Sequence, residues 1–447
     1  MDDLGFCSHM IPMQLDAMID AYRNVVPLDG YPTLDEIERQ PELPGLRHNE
    51  VWAAIKMARA ASLRKIPLVD CKGRPFQLGF PSGLSEVFNK IDRWGADGPG
   101  AARDTSRALA TSLREESAAS AILAGAGMSQ SGAEEMLRCG RQPEDRDERM
   151  VFNMYRALES VQELGASVLS PTLVLELHRA ITEGTLDPAD ASGRLRRDGE
   201  TAGLQGLEAG EYAPPDAREL EGRLESMCAF ANGEGPGFFV HPVARAILLH
   251  FRLAYERPFV DGNGRTARVL FRWAMLRQGY PLFAFVALSP VLAAEPARYG
   301  RAFRQTETDD NDLTYFVLHQ AGAIGVSMNA LADRAARDAR ELSSMEARLP
   351  GFAALNRRQQ ALIAHALRHS GARYVIAGHQ RSHGVTHQTA RDDLFDLERR
   401  ELLIVGKEGR TYFFQAAADL RRTLQSAVGR RRAARAIQSD ELPTNLL

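Results

Sequence analysis

Two stretches of helical apolar patterning, His241–Glu256 and Thr266–Gln278, are joined by Arg257-Pro-Phe-Val-Asp261-Gly262-Asn263-Gly264-Arg265, and no other stretch constrains the chain as strongly. Gly262 and Gly264 allow backbone conformations in which successive N–H groups converge at the start of the following helix, the geometry of an anion nest. Arg265 and Arg268 stand three apart, so both guanidinium groups reach one face of the first helical turn and can clamp phosphate oxygens. Asp261, just before the nest, offers a hard oxygen ligand suited to Mg2+ bridging those oxygens. A Gly-Asn turn with surface arginines would account for DGNGR alone; the second arginine and the flanking helices favour a phosphate site.

At 447 residues the chain is about three times a ~150-residue domain, which predicts two or three folding units and room for a sizeable core. With 44% hydrophobic and 25% charged residues it has the composition of a folded globular chain, which excludes disordered and collagen-like classes. No run approaches the ~18 apolar residues of a membrane span, so no membrane partner is expected. Asp2 and Asp3 stand where a signal peptide would carry positive charge, which points to a cytoplasmic location. Cys7, Cys71, Cys139 and Cys228 lie far apart, with neither a C-x-x-C pair nor a Cys/His cluster to suggest a disulfide framework or a zinc site. Of 55 basic residues only five are lysines, a bias that reads as codon composition. Charge is nonetheless uneven: Gly351–Leu447 holds 16 Arg and Lys against 9 Asp and Glu, a net +7, which leaves −10 for the rest of a chain whose total is −3.

Along the chain, helical patterning is expected from His48, across LSEVFNKIDRWGA, from Ala101 to Ala126 and from about Glu144 to Leu164. PLVDCKGRPFQLGF reads as a loop or small hairpin, broken by Pro67, Gly73 and Pro75. Ser170-Pro171 has the N-cap and first-turn residues of a further helix start. Patterning lapses from Gly193 to Pro215, which predicts a surface loop or β-hairpin. Helices resume at Asp216–Asn232, and Pro296–Arg340 is largely helical. The C-terminal portion predicts helices at Asn356–His369, Tyr374–His383 and Thr386–Leu402, then LLIVG and TYFFQ as a hairpin in which Gly409 can take a positive φ. Three helices followed by a hairpin is the pattern of a winged helix-turn-helix. Its recognition position holds His387, Gln388 and Arg391, which could meet DNA, whereas Asp392 and Asp393 would repel a phosphate backbone. Protein docking or homodimer formation is the other use such a module serves.

The stretch HFRLAYERPFVDGNGRTARVLFRWAML resembles the signature of the Fic (Fido) family, whose motif reads His-Pro-Phe-x-Asp/Glu-Gly-Asn-Gly-Arg. The resemblance takes in most of the chain, from about Trp52 to TETDDNDLTYF and the C-terminal module. It implies a mainly α fold, the Fic/Fido helical fold with a small β-hairpin flap, plus a C-terminal winged helix-turn-helix. The implied divisions are an N-terminal helical arm over 1–100, a Fic domain over 101–340, the winged helix over 351–425 and a basic tail over 426–447. The family's usual activity is AMPylation, transfer of AMP from ATP to a protein hydroxyl with release of pyrophosphate, so ATP or another nucleotide and Mg2+ are the implied cofactors. By position, Asp261 is implied as metal ligand, and Gly262, Asn263, Gly264, Arg265 and Arg268 as phosphate-holding groups. The loop over 193–215 resembles the flap that aligns a target protein by strand addition.

Two departures stand beside this resemblance. Arg257 occupies the place of the family's catalytic histidine, a general base. A guanidinium stays charged near neutral pH and has no lone pair to accept a proton, and losing a positioned base forfeits roughly 10²–10⁴ in rate. Ser120-Ala-Ile-Leu-Ala124-Gly125, near the end of an implied inhibitory helix over 111–125, resembles the family's inhibitory pattern Ser/Thr-x-x-x-Glu-Gly/Asn, with Ala124 where the glutamate belongs. Without that carboxylate, Arg268 is expected to be open to phosphate. Three readings follow: a nucleotide-binding pseudoenzyme, a transferase in which Arg257 stabilises a transferring group, or an inactivated variant of an ordinary AMPylase. A regulator whose body senses a ligand is a contrasting class. No nearby histidine replaces the base, since His250 lies two helical turns (~10.5 Å) before Arg257, His241 reads as a cap, and His178 shows no partner in the sequence.

Overall fold

Helix starts fall where short polar side chains can receive the free N–H groups of a first turn. In the computed structural model, which describes residues 31–41, 47–97, 105–164, 167–202, 214–235, 237–369, 371–408 and 411–425, Thr33 caps α1 (Leu34–Glu38) in a capping box with Glu36. Helix α2 (His48–Ala60) follows, then strands β1 (Arg64–Val69) and β2 (Pro75–Leu78), paired antiparallel, so that of the loop and the small hairpin expected there it is the hairpin, and its first strand begins at Arg64, before the expected stretch. After α3 (Ser82–Asp97) and α4 (Thr105–Leu123), Ser129 caps α5 (Gln130–Cys139) and Asp145 caps α6 (Arg146–Glu163). Ser170 caps α7 (Pro171–Thr182) by accepting from the Leu173 N–H, with Pro171 in the first turn as the sequence predicts.

Helices α8 (Leu220–Ala231), α9 (Pro242–Glu256) and α10 (Asn263–Arg277) come next. The last two are buried along nearly their whole length at the centre of the body, and they carry His250, Arg252, Arg265, Arg268 and Arg272 into it with them. Around them pack α11 (Ser289–Ala294), α12 (Pro296–Thr308) and α13 (Thr314–Arg348), and Phe251, Phe259, Trp273, Tyr299, Phe303 and Phe316 form the aromatic centre of the core. Backbone bonds from the Gln77 N–H to the Asn311 carbonyl (3.0 Å) and from the Leu313 N–H to the Gln77 carbonyl (2.8 Å) tie the hairpin to the start of α13.

A second, separate apolar cluster of Phe352, Ile363, Leu394, Leu397 and Phe414 holds the C-terminal module. It contains α14 (Arg357–Arg368), β3 (Tyr374–Val375), α15 (Ile376–His383), α16 (His387–Arg399), β4 (Leu403–Glu408) and β5 (Thr411–Ala416). The strands form an antiparallel sheet in the order β3-β5-β4. The sequence predicts helix from Tyr374; instead Tyr374 and Val375 extend to pair with Phe414 and Phe413 before α15 begins. Helix α15 docks on α4 and α5: Gly140, left-handed at φ 70°, leaves room for Arg381, whose Nη2 would stand 1.8 Å from any added Cβ.

The described architecture is therefore mainly helical with two small sheets. Most of the expected arm before Tyr31, the flap tip at 203–213, Gly409 and the basic tail at 426–447 lie outside the described residues. Between Gly193 and Ala202 the described part of the expected flap runs as turns and irregular chain, without strand.

Candidate functional site

The loop between α9 and α10 is held in shape by its own backbone and by three flanking side chains. Arg257 ends α9 in a left-handed conformation, φ 47° and ψ 60°, which costs a non-glycine residue about 1–2 kcal/mol. Its N–H donates to the Leu253 carbonyl at 3.2 Å, and its own carbonyl accepts from Arg196 Nε at 2.9 Å. One residue earlier, the buried Glu256 carboxylate is paired with Arg223 at 3.0 Å and with Arg252. The Asn263 side chain closes the loop from within, its Oδ1 accepting from the Phe259 N–H (3.0 Å) and its Nδ2 donating to the Phe259 carbonyl (2.9 Å). That corrects the sequence expectation for Asn263: its amide shapes the loop, and only its backbone N–H is left to face a ligand. Gly262, at φ 84°, is the N-cap of α10, and a Cβ there would lie 2.6 Å from Thr182 Cγ2 and 3.2 Å from His178 Nε2.

Helix α10 starts three residues earlier than the sequence predicts, at Asn263. Its first ladder bond runs from the Thr266 N–H to the Gly262 carbonyl at 2.9 Å, and no side chain caps it. The N–H groups of Asn263, Gly264 and Arg265 thus form the positive end of a fifteen-residue helix. Arg265 is wholly buried, and its Nη2 reaches Asp261 Oδ2 at 3.3 Å. Its Nε and Nη1 have no hydrogen-bond partner among the described residues. Burial lowers its pKa to about 10. A buried guanidinium with two unmet donors beside an uncapped helix N-terminus is an arrangement completed by an anion.

Arg268 is placed otherwise than the sequence predicts. Its Nε donates to Ser120 Oγ at 2.7 Å and its Nη2 to the Ser120 carbonyl at 2.9 Å. Ser120 lies in the last turn of α4, whose carbonyls carry the negative end of the helix dipole, and Gly125 at φ 95° terminates the helix. A hydroxyl and a helix C-terminus therefore hold this cation. Ala124 itself packs against an apolar cluster with Met136, Met150 and Val151. Glu116, one turn before Ser120, is engaged elsewhere, accepting from the Ser289 N–H at 2.8 Å and from its hydroxyl.

Asp261 is about a quarter exposed; its Oδ1 accepts from the Gly262 N–H at 2.6 Å, and its Oδ2 lies 3.8 Å from Arg146 Nη2. The described residues contain no group of three or more His, Cys, Asp and Glu placed to hold a metal. A lone, partly exposed carboxylate beside a phosphate cradle fits Mg2+, which is usually bound by one or two carboxylates together with substrate phosphates.

The histidines fall into clear roles. His250 is fully buried with Nε2 2.8 Å from the Tyr299 hydroxyl, and burial takes its pKa down to about 3, as befits the packed residue expected. His241 caps α9 by accepting from the Val243 N–H at 3.3 Å, also as expected. His178 is the residue sequence reading missed. Its ring stacks on Phe259 with centroids 3.7 Å apart, Nε2 lies 2.9 Å from the Asp261 carbonyl, and Nδ1 accepts from the Gly193 N–H at 3.0 Å. Arg196 and Arg146 were missed for the same reason: their partners stand far away in sequence, and no local spacing marks them.

Residues 168–275 match the model of the Fic/DOC family. Over 108 residues the chain is 36% identical to the protein adenylyltransferases Fic of Drosophila virilis and Drosophila melanogaster, a match covering 24% of this chain and 20% of each relative. A solved structure of a Fic domain containing signaling protein from Bacteroides thetaiotaomicron resembles it with TM-score 0.47 and 20% identity, covering 57% of this chain and 98% of that one. The loop, its buried arginine and all but the last two residues of the helix it opens lie inside residues 168–275, the segment over which this chain is similar to the Fic/DOC family.

Proposed function

We infer that this domain binds the phosphates of a nucleotide such as ATP at the N-terminus of α10, and that the chain lacks ordinary AMP transfer to protein hydroxyls. One observation carries the binding half: the wholly buried Arg265 guanidinium, with Nε and Nη1 unmatched, beside the uncapped first turn of α10. Asp261 would hold Mg2+ together with phosphate oxygens, and the ion would offset phosphate charge. Arg265 and the N–H groups of Gly264 and Asn263 bind and orient the phosphates. Asn263 and His178 keep the loop in the shape that presents those groups.

The deficiency half follows from Arg257. A guanidinium cannot take the proton of an attacking hydroxyl. Neither neighbouring histidine offers a substitute, since His178 uses both ring nitrogens on backbone groups and His250 is sealed in the core beside Tyr299. A second reading, a transferase in which Arg257 stabilises developing charge, is favoured by one fact: the chain keeps a buried cation at this position despite a left-handed backbone.

Calorimetry with ATP and Mg2+ tests binding: heat that Arg265→Ala abolishes sustains it, and no heat from the native chain overturns it. Incubation with α-³²P-ATP and cell lysate tests transfer. No label from the native chain, with label appearing in Arg257→His, is the expected result; native labelling that disappears in Arg265→Ala would establish the second reading.

The C-terminal module we read as a winged helix-turn-helix. Helix α16 exposes His387, Gln388 and Arg391. One of the two acids counted against DNA points inward: Asp393 is buried and bonded to Arg358 Nε at 2.6 Å, Asn356 Nδ2 at 2.8 Å and His379 Nε2 at 3.2 Å. Asp392 stays exposed, and α15 is engaged by the body, so docking within the protein accounts for this module better than DNA does. Anisotropy titration should find no salt-sensitive DNA affinity; steep salt dependence would reverse that reading.

A further inference from the structure

His178 is wholly buried in α7 and belongs to no motif, yet both its ring nitrogens leave the helix to meet the backbone of two separate loops. The ring faces the Asp261 carbonyl, immediately before the left-handed Gly262, and the N–H of Gly193, left-handed at φ 76°. Gly193 begins the segment leading to the expected flap and is pressed onto α7 so closely that a Cβ would lie 2.6 Å from Arg179 Nε. Arg196, three residues on, donates to the Arg257 carbonyl, and the hydroxyls of Thr182 and Ser192 meet at 2.8 Å.

The partners dictate the tautomer. An N–H can only donate, so Nδ1 is the acceptor, and a carbonyl can only accept, so Nε2 carries the proton. The Asp261–Gly262 peptide plane that this proton grips sets where the Asp261 carboxylate faces and where the N–H row of α10 begins. We propose that His178 is a positioning residue, a neutral Nε2–H imidazole that couples the phosphate loop to the base of the flap and holds the Asp261–Gly262 peptide in its ligand-ready orientation. The proposal rests on the reading of the loop as a nucleotide site.

The test uses the full chain and two nearly isosteric variants, His178→Gln and His178→Met. Both lose the stack on Phe259, but only glutamine keeps an amide donor near the place of Nε2. The glutamine variant should hold ATP–Mg2+ affinity within threefold of native, whereas the methionine variant should lose about tenfold by calorimetry. Equal affinities in the two variants overturn the proposal. Hydrogen exchange without nucleotide gives a separate reading: the amides of Gly193 and Gly262 should exchange at least tenfold faster in His178→Met than in His178→Gln, and equal rates reject the coupling. If the native chain binds no ATP, the nucleotide reading fails and exchange alone decides whether His178 holds the two loops. Should neither variant fold, the imidazole ¹⁵N shifts of the native chain decide, with an Nδ1–H tautomer overturning the proposal.

Discussion

Replacing Arg265 with methionine should make the chain more stable and remove its affinity for phosphate. The native guanidinium is fully buried, its hydrogen bond to Asp261 is a 3.3 Å contact to a carboxylate that is itself 27% exposed, and two of its nitrogens have no partner among the described residues. Burial depresses its pKa from the ordinary 12.5 to about 10, equivalent to roughly 3 kcal/mol of penalty on the charged form. Methionine restores an apolar side chain of similar length but forfeits the attraction to Asp261, so a net gain of about 1–3 kcal/mol is expected. For a body of this size that corresponds to a rise in Tm of roughly 2–5 °C. The sign with pH follows from the depressed value: the penalty is in force at every pH below about 10 and is relieved only as pH rises toward 12.5, so the gain should be constant across neutral pH. Thermal melts with and without ATP–Mg2+ check both halves. Ligand at a hundred times its Kd should stabilise the native chain by about 2.7 kcal/mol and leave the variant unmoved. A variant that melts several degrees lower, or that retains the ligand shift, would refute the assignment of Arg265 as an anion-seeking charge.

Gly262→Ala forces a Cβ to within 2.6 Å of Thr182 at φ 84°, which should cost roughly 2–4 kcal/mol from backbone strain and overpacking together, seen as a lower urea midpoint; a loss below about 0.5 kcal/mol would show that the loop relaxes freely. Ser120→Ala removes the hydroxyl that accepts from Arg268 Nε, so the chain should lose about 1 kcal/mol of stability and gain several-fold affinity for ATP as Arg268 turns toward phosphate; unchanged affinity would mean that Arg268 stays out of the site. In the C-terminal module, burial pushes the Asp393 carboxyl up, but bonds from His379, Arg358 and Asn356 outweigh it and hold the group well below the carboxylate range. Such a depressed group contributes stability that is complete above the unfolded value of 3.8 and lost as pH falls through and below it. Asp393→Asn should therefore destabilise the module by about 1–3 kcal/mol at pH 7 and flatten its acid unfolding, with circular dichroism melts at pH 3 and 7 as the check.

Much of the scaffold was legible one segment at a time. The Ser170-Pro171 start of α7, the His241 cap of α9 and the hairpin around Gly73 each depend on a few consecutive residues whose backbone preferences act locally. Tyr374 and Val375 escaped that reading because their extended shape is imposed by β5, some forty residues on. The start of α10 was misplaced by three residues because Asn263 anchors itself to Phe259, a bond that spacing alone does not announce.

Covalent identity settled one matter outright: whatever surrounds position 257, an arginine there cannot serve as a proton acceptor, because that property belongs to the guanidinium and not to its neighbours. The nest of glycines and the pair of arginines were equally local, since residues three apart on a helix must share a face. Which donor meets which acceptor was a different kind of question. Ser120 and Arg268 are 148 positions apart, and His178 and Asp261 are 83 apart. Only the packing of α4 and α7 against α10 brings them within 3 Å, and so only the tertiary structure decided that one arginine of the pair is held while the other is left with donors to offer.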